Sequence, residues 1–297
     1  LSRTPSLYNS LFNAPENPLL TMLDSSSSLV QPLEPLPTGW RRLRLTLEWD
    51  GVGFNGWQVQ AQGERTVQGA LEAALHPLGA YGRPMAAGRT DAGVHALEMP
   101  VHVDVSTQVP TLAVLRALNS RLPGDIRVLS CEEVSADWHA RFSCAWRAYT
   151  YRIFNSPIPS ALERHRALWV PQRLEVAPMR NAAQHLIGLH DFAAFATKEE
   201  RQTVREVLSC DVRAVPTRHR REELRTIEVN ITGESFLRHM VRGIVGTLLE
   251  VGMGKLPSSE VLRVLESRDR AQAGPNVAPH GLYFAKAGYE AWPGGAR

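Results

Sequence analysis

The stretch RRLRLTLEWDGVGFNGWQVQ, Arg41 to Gln60, decides between two fold classes. Its first nine residues alternate, with Leu43, Leu45, Leu47 and Trp49 on one side and Arg42, Arg44, Thr46 and Glu48 on the other, as in a strand with one buried face. Gly51, Gly53 and Gly56 then spell G-x-G-x-x-G directly after that strand, the fingerprint of a dinucleotide-binding doubly wound sheet. The context contradicts the fingerprint. Its third glycine should open a helix, but Trp57-Gln58-Val59-Gln60 follows, helix signals resume only at Thr66, and no acidic residue closes a second strand at the required distance. Parallel strands buried on both faces would also read as continuous apolar runs rather than alternation. The expectation is therefore an α+β chain with mainly antiparallel sheets.

The rest of the chain extends the same pattern. Thr66 is placed to cap a helix carrying Val67, Ala70, Leu71, Ala74, Leu75 and Leu78. A polar loop leads to a second alternating strand, Val101, Val103 and Val105 against His102 and Asp104 on the polar side. A helix with Leu112, Leu115 and Leu118 follows, then the turn Leu122 to Asp125 and a strand towards Val134. The second half repeats these kinds of element. A strand from Trp146 to Phe154 sets Tyr149, Tyr151 and Ile153 on one face, and a helix with Met179, Ala182, Ala183, Leu186 and Ile187 stops at Gly188. Strands at Val204–Val215 and Glu222–Ile231, helices at Ser235–Glu250 and Ser259–Ser267, and a closing strand at Gly281–Ala287 complete the reading. No sequence repeat of roughly 20 to 50 residues is visible.

Composition bounds the function. The 297 residues carry a formal charge of +3, 43% hydrophobic and 21% charged residues, enough apolar mass for a core. Single cores stop growing at about 250 to 300 residues, so two subdomains are expected, 41–140 and 141–292. No run approaches the roughly 18 apolar residues of a membrane helix. Cys131, Cys144 and Cys210 form neither an even set nor a C-x-x-C pair, which argues against a disulfide framework or thiolate zinc and for a reducing, cytoplasmic location. Residues 1–40 hold the run Ser25 to Ser28 and six prolines, show no sustained apolar period, and lack the regions of a signal peptide. They are expected to be a disordered extension.

Three candidate sites remain. GMGK at Gly252 to Lys255 lacks the upstream glycine and following Ser or Thr of a phosphate-binding loop and reads as a helix C-terminal turn. Asp91, His95, His102 and Asp104 are metal-ligand types, but their spacing supports no site and no metal is expected. GRTDAGVHA, Gly88 to Ala96, is a loop whose glycines allow sharp turning and close approach of a ligand, with Arg89 beside Asp91. Taken alone, that pair is a solvated turn. Against this stands Arg242, set among Met240, Val241, Ile244 and Val245 on the long helix. An unpaired buried guanidinium costs about 3 to 5 kcal/mol, so it requires a carboxylate, and Asp91 is the candidate.

GRTDAGVHA resembles the catalytic loop of the TruA family of tRNA pseudouridine synthases, and the resemblance covers nearly everything from Arg41 to Tyr289. EWDGVGFNGWQVQ (Glu48–Gln60), LNSRLPGDI (Leu118–Ile126), WHARFS (Trp138–Ser143), RAYTYRIFN (Arg147–Asn155), FLRHMVRGIVG (Phe236–Gly246) and GLYF (Gly281–Phe284) follow in register. The resemblance implies two ferredoxin-like or RRM-like subdomains joined around a basic active-site cleft. It implies isomerisation of uridine to pseudouridine at positions 38 to 40 of the tRNA anticodon arm, without cofactor or metal, by a homodimer. Carried over residue by residue, it makes Asp91 the nucleophile, Arg242 the cation that keeps it charged, Tyr149 the ring that stacks on the uracil and a candidate to assist proton removal at C5, and Arg89 the group that ejects the base or holds its phosphate. Tyr151 is left as core. One departure is Met99-Pro100, where the family often has a glutamine and a small apolar residue. The proline removes a backbone donor there, and altered local pairing is the expectation.

Charge distribution is compatible with RNA. Residues 138–173 hold Arg141, Arg147, Arg152, Arg164, Arg166 and Arg173 against the single acid Glu163, and a second cluster spans Arg218 to Arg221. Two other readings compete: a non-catalytic tRNA-binding protein on the same scaffold, and a hydrolase using a carboxylate nucleophile on a small molecule.

Overall fold

The computed structural model describes residues 36–61, 63–197, 202–215 and 225–294. The expectations for the N-terminal tail and for the cluster Arg218 to Arg221 fall outside the described residues. In the first half the elements are β1 (Arg41–Trp49), α1 (Val67–Leu75), β2 (Ala80–Ala86), β3 (His95–Val105), α2 (Thr111–Arg121) and β4 (Ile126–Val134). Their strands lie in the order β4-β1-β3-β2, the ferredoxin-like arrangement of a β-α-β-β-α-β unit. The second half holds β5 (Trp146–Asn155), β6 (Leu168–Val170), α3 (Val176–Gln184), β7 (Gly188–Asp191), β8 (Val204–Val215), β9 (Arg225–Gly233), α4 (Met240–Gly252), α5 (Glu260–Ser267) and β10 (Leu282–Gly288). Here β10-β5-β9-β8 gives the same plan a second time, with β7 added at the edge and the short β6 running parallel to β5.

The last strand joins the halves. One edge of β3 has two partners: its later residues pair with β2 through Met85↔His102 and Ala86↔Val101, and its first residues pair in parallel with β10 through Tyr283↔His95 and Phe284↔Ala96. On its other side β10 runs antiparallel to β5, with Phe284 opposite Tyr149. The result is one ten-stranded sheet. The chain between β2 and β3, residues 87–94, crosses the sheet where β3 changes partner, and this is the loop singled out in the sequence.

Strand alternation explains the core. Leu43, Leu45 and Leu47 have no exposed surface and share an apolar cluster with Val67, Leu71 and Leu75 of α1 and Val114 and Leu118 of α2. Each such side chain contributes about 1.5 to 3 kcal/mol by leaving water. Tyr151 and Ile153 of β5 belong to the same cluster as Met179 and Ala182 of α3 and Ile244, Val245 and Leu248 of α4. Thr66 caps α1, its hydroxyl accepting the Gly69 amide at 3.2 Å. None of the helices among the described residues is long and apolar enough to cross a membrane.

Several features depart from the sequence reading. β2 was expected as loop; Gly82 and Pro84 mask its pattern, and a register shift lies between Tyr81 and Met85. α4 begins at Met240 rather than Ser235, because His239 takes a left-handed backbone, φ 64°, which a helix cannot propagate. His102, assigned to a polar strand face, is buried, since the turn bearing Trp138 and His139 covers that side of β3. Pro100 leaves pairing intact: it lies opposite Thr46, its carbonyl accepts the Ala87 amide at 2.9 Å, and the irregularity falls instead beside Leu97 and Glu98.

Candidate active site

The glycines of the misleading fingerprint clamp the Asp91 loop. Gly56 has φ 85°, and a Cβ there would lie 2.5 Å from the Thr90 carbonyl oxygen; one on Gly51 would lie 2.1 Å from that of Val94. The clamp is completed by hydrogen bonds. Trp57 donates its amide to Thr90 at 3.1 Å, Gly93 donates to Phe54 at 3.1 Å, and the Trp49 indole donates to Val94 at 3.1 Å. Gly51 and Gly56 thus serve close contact between two stretches of protein backbone, while Gly53 faces the Arg65 guanidinium.

Across the seam, the first turn of α4 meets this loop. Asp91, one-third exposed, has Oδ2 at 3.3 Å from His239 Nε2 and 3.5 Å from Arg242 Nη1. The pairing of Asp91 with Arg242 expected from burial is therefore present. Arg242 is held from behind, its Nε donating to the Val277 carbonyl at 2.7 Å. Small residues allow that approach: a Cβ on Gly246 would lie 1.8 Å from the Pro275 carbonyl, and one on Gly243 2.4 Å from that of Phe195. The irregular segment carrying Val277 can therefore run against the helix.

His239 escaped the sequence reading. Its Nδ1 is 2.5 Å from the Thr197 hydroxyl. Burial lowers the His239 pKa, against the pull of Asp91, and the neighbouring arginines Arg242, Arg238 and Arg270 lower it further. No periodicity marked it, because His239 stands before α4 with a left-handed backbone and shares no helical face with Arg242.

Tyr149 closes the site from β5. It is 9% exposed, lying edge-on to Phe236 (5.0 Å between centroids) and Phe284 (5.3 Å). A Cβ on Gly88 would be 3.6 Å from its hydroxyl, so the ring lies directly under the loop. Burial pushes its phenol up to about 12. Tyr151 is fully buried and donates to the Ala278 carbonyl at 2.7 Å, a core residue. Arg89 is exposed and makes no hydrogen bond or ion pair with the described residues.

The other sequence candidates disperse. His95 accepts the Gly51 amide on Nδ1, stacks on Tyr283 and has Nε2 at 3.1 Å from the carbonyls of His165 and His280. His102 accepts the Ala140 amide, and Asp104 receives both Nε and Nη2 of Arg42 at 2.7 and 2.8 Å. These residues and Asp91 have separate partners rather than one centre. Several arginines of 138–173 also have internal roles: Arg147 donates to the carbonyls of Ala87, Glu234 and Arg141, Arg166 pairs with Asp50, and Arg152 lies 3.9 Å from Glu228. The density of positive charge in this stretch therefore overstates what is free to meet a phosphate.

Fold and site together define a duplicated ferredoxin-like protein with one carboxylate, an arginine and a histidine gathered at the seam of its halves. Comparison with known proteins gives this class a family. Residues 182–290 match the family described as tRNA pseudouridine synthase. A tRNA pseudouridine synthase A of Thermus thermophilus is 49% identical over 249 residues, which span 84% of this chain and 97% of that protein. Proteins of the same name from Zymomonas mobilis and a Caulobacter species are 43% identical over 252 and 251 residues, spanning 84% of this chain and 99% and 98% of theirs. The chain belongs to the tRNA pseudouridine synthase A family.

Proposed function

We propose that this protein isomerises uridine to pseudouridine in tRNA, at positions 38 to 40 of the anticodon arm, with Asp91 as nucleophile. The observation that carries the reading is the Asp91 carboxylate, partly open to solvent on a clamped loop, with Arg242 at 3.5 Å. A carboxylate attacks carbon as the anion, and the fixed Arg242 guanidinium faces that charge. Asp91 adds either to C6 of the uracil or to C1′ of the ribose. In both routes the N1–C1′ bond breaks, the base turns, a C5–C1′ bond forms, C5 loses its proton and N1 gains one, so substrate and product are isomers.

Tyr149 offers its ring to the uracil, and one of its aromatic neighbours, the partly exposed Phe236, moves to admit the base. Burial holds the Tyr149 phenol near 12, so it is protonated at neutral pH. Arg89, exposed and two residues before Asp91, assists extrusion of the nucleotide from its stack or holds its phosphate. The same reading includes a homodimer contacting one RNA with both subunits, and a cytoplasmic location compatible with the free thiols of Cys131, Cys144 and Cys210.

Mapping pseudouridine on unmodified tRNA transcripts treated with wild-type protein and with Asp91→Asn tests this directly. The wild type is expected to modify the anticodon arm and the variant to bind without modifying. Retained activity in Asp91→Asn removes the nucleophile assignment. Binding without modification by the wild type favours the non-catalytic RNA-binding reading, and sedimentation tests the dimer.

A further inference from the structure

Phe142 is 61% exposed yet belongs to a rigid turn. Its ring stacks on His139 with centroids 4.3 Å apart and planes at 30°. His139 organises the turn from inside: its Nδ1 accepts the amides of Arg141 at 3.0 Å and Phe142 at 3.1 Å, its amide donates to the Ser143 hydroxyl at 2.9 Å, and its carbonyl accepts the Ser143 amide at 3.0 Å. Beneath it, His102 packs edge-on at 4.4 Å. The Arg141 guanidinium lies 5.8 Å from the Phe142 ring.

Arg147 ties this turn to the active site. Its Nη2 donates to the Arg141 carbonyl at 2.8 Å and its Nε to that of Ala87 at 2.9 Å, so a single guanidinium separates the turn from the residue that leads into the Asp91 loop. Its Nη1 holds Glu234, two residues before Phe236. Arg147 precedes Tyr149 by two positions and shares its face of β5.

The exposed face of an aromatic ring gains nothing for folding, whereas a ring backed by a second ring and flanked by a cation suits stacking of a nucleobase on that face. Extruding a uridine leaves its neighbours without a stacking partner. We propose that Phe142 is the platform on which a nucleobase flanking the target uridine stacks, replacing the partner lost on extrusion. The inference rests on the RNA-modifying reading above.

Binding and turnover of tRNA transcripts by Phe142→Ala and Phe142→Trp test it, together with transcripts made abasic at single positions flanking the target. Phe142→Ala should raise Kd and KM roughly 5- to 100-fold. Its kcat at saturation and its thermal midpoint should stay close to wild type, and Phe142→Trp should restore binding. One abasic position should weaken wild-type binding by a similar factor and add nothing in Phe142→Ala. A Kd for Phe142→Ala within about twofold of wild type, or abasic effects that add fully at every flanking position, overturns the platform. If the wild type forms no pseudouridine on any tRNA, the catalytic reading fails instead, and the binding arm still decides the role of Phe142.

Discussion

Arg242 gives one guanidinium nitrogen to each side of the seam: Nη1 lies 3.5 Å from Asp91 Oδ2, and Nε donates to the Val277 carbonyl at 2.7 Å. The second bond fixes the direction of the first. A lysine supplies the charge without the fork, so Arg242→Lys keeps a cation but loses its anchorage. We expect Arg242→Lys to lower kcat/KM for pseudouridine formation by roughly 100-fold, about 2.7 kcal/mol, and Arg242→Ala by more. Steady-state kinetics on a single tRNA transcript would check this, and a lysine variant with wild-type kinetics would show that charge alone suffices.

Gly56 tests the clamp. A methyl group there meets the Thr90 carbonyl at 2.5 Å on a backbone with φ 85°. Gly56→Ala should destabilise the fold by about 1 to 3 kcal/mol and lower activity out of proportion to that loss, because Thr90 precedes Asp91. Denaturant melts and turnover measured below the melting range separate the two effects. Activity equal to wild type in a fully folded variant would remove the positioning role.

For Tyr149, ring and hydroxyl are separable. Tyr149→Phe keeps the edge-on contacts with Phe236 and Phe284, so its thermal midpoint should stay near wild type. Tyr149→Ala empties a buried site and should cost about 3 to 5 kcal/mol. Because the phenol lies at about 12, the pH–rate profile should show no alkaline limb from Tyr149 below about pH 11. A limb near pH 9 that disappears in Tyr149→Phe would contradict this.

Acid should unfold the protein through two histidines. Burial, with nearby positive charge, lowers His102 to about 3 and His139 to about 4, whereas both titrate at 6.5 in the unfolded chain. As pH falls from 6.5 towards 4, the unfolded state binds more protons than the native state, so stability falls. The slope is up to about 1.4 kcal/mol per pH unit for each group. This contribution is fully present above pH 6.5. Melting curves between pH 8 and 4 should show the decline, and His102→Gln, which keeps an acceptor for the Ala140 amide, should flatten it. Equal slopes in the two proteins would refute the assignment.

Much of this was legible in the chain. Alternation in β1 placed Leu43, Leu45 and Leu47 inside, the absence of a helix after Gly56 excluded the dinucleotide fold, and β8 ends at the expected residues Val204 and Val215. The partnership of Asp91 with Arg242 followed from the cost of an unpaired guanidinium. β2 was not legible, because a glycine, a proline and a bulge in seven residues erase the period of two. Nor was the burial of His102, since a strand's outward face is polar only if nothing covers it. Arginine counts misled for a similar reason: composition cannot tell a guanidinium that meets water from one such as Arg147, which is committed to three carbonyls.

By itself, the sequence determined the α+β class, the apolar face of the strands, the loop that carries Asp91 and the need of Arg242 for a carboxylate partner. These follow from periodicity and burial, which each segment encodes locally. Only the tertiary structure decided that the last strand, β10, lies in the middle of the sheet between β3 and β5. That placement brings Asp91, Tyr149, His239 and Arg242, drawn from distant parts of the chain, to one point. Strand order is a property of long-range pairing, and local alternation carries no record of which strand will be the neighbour.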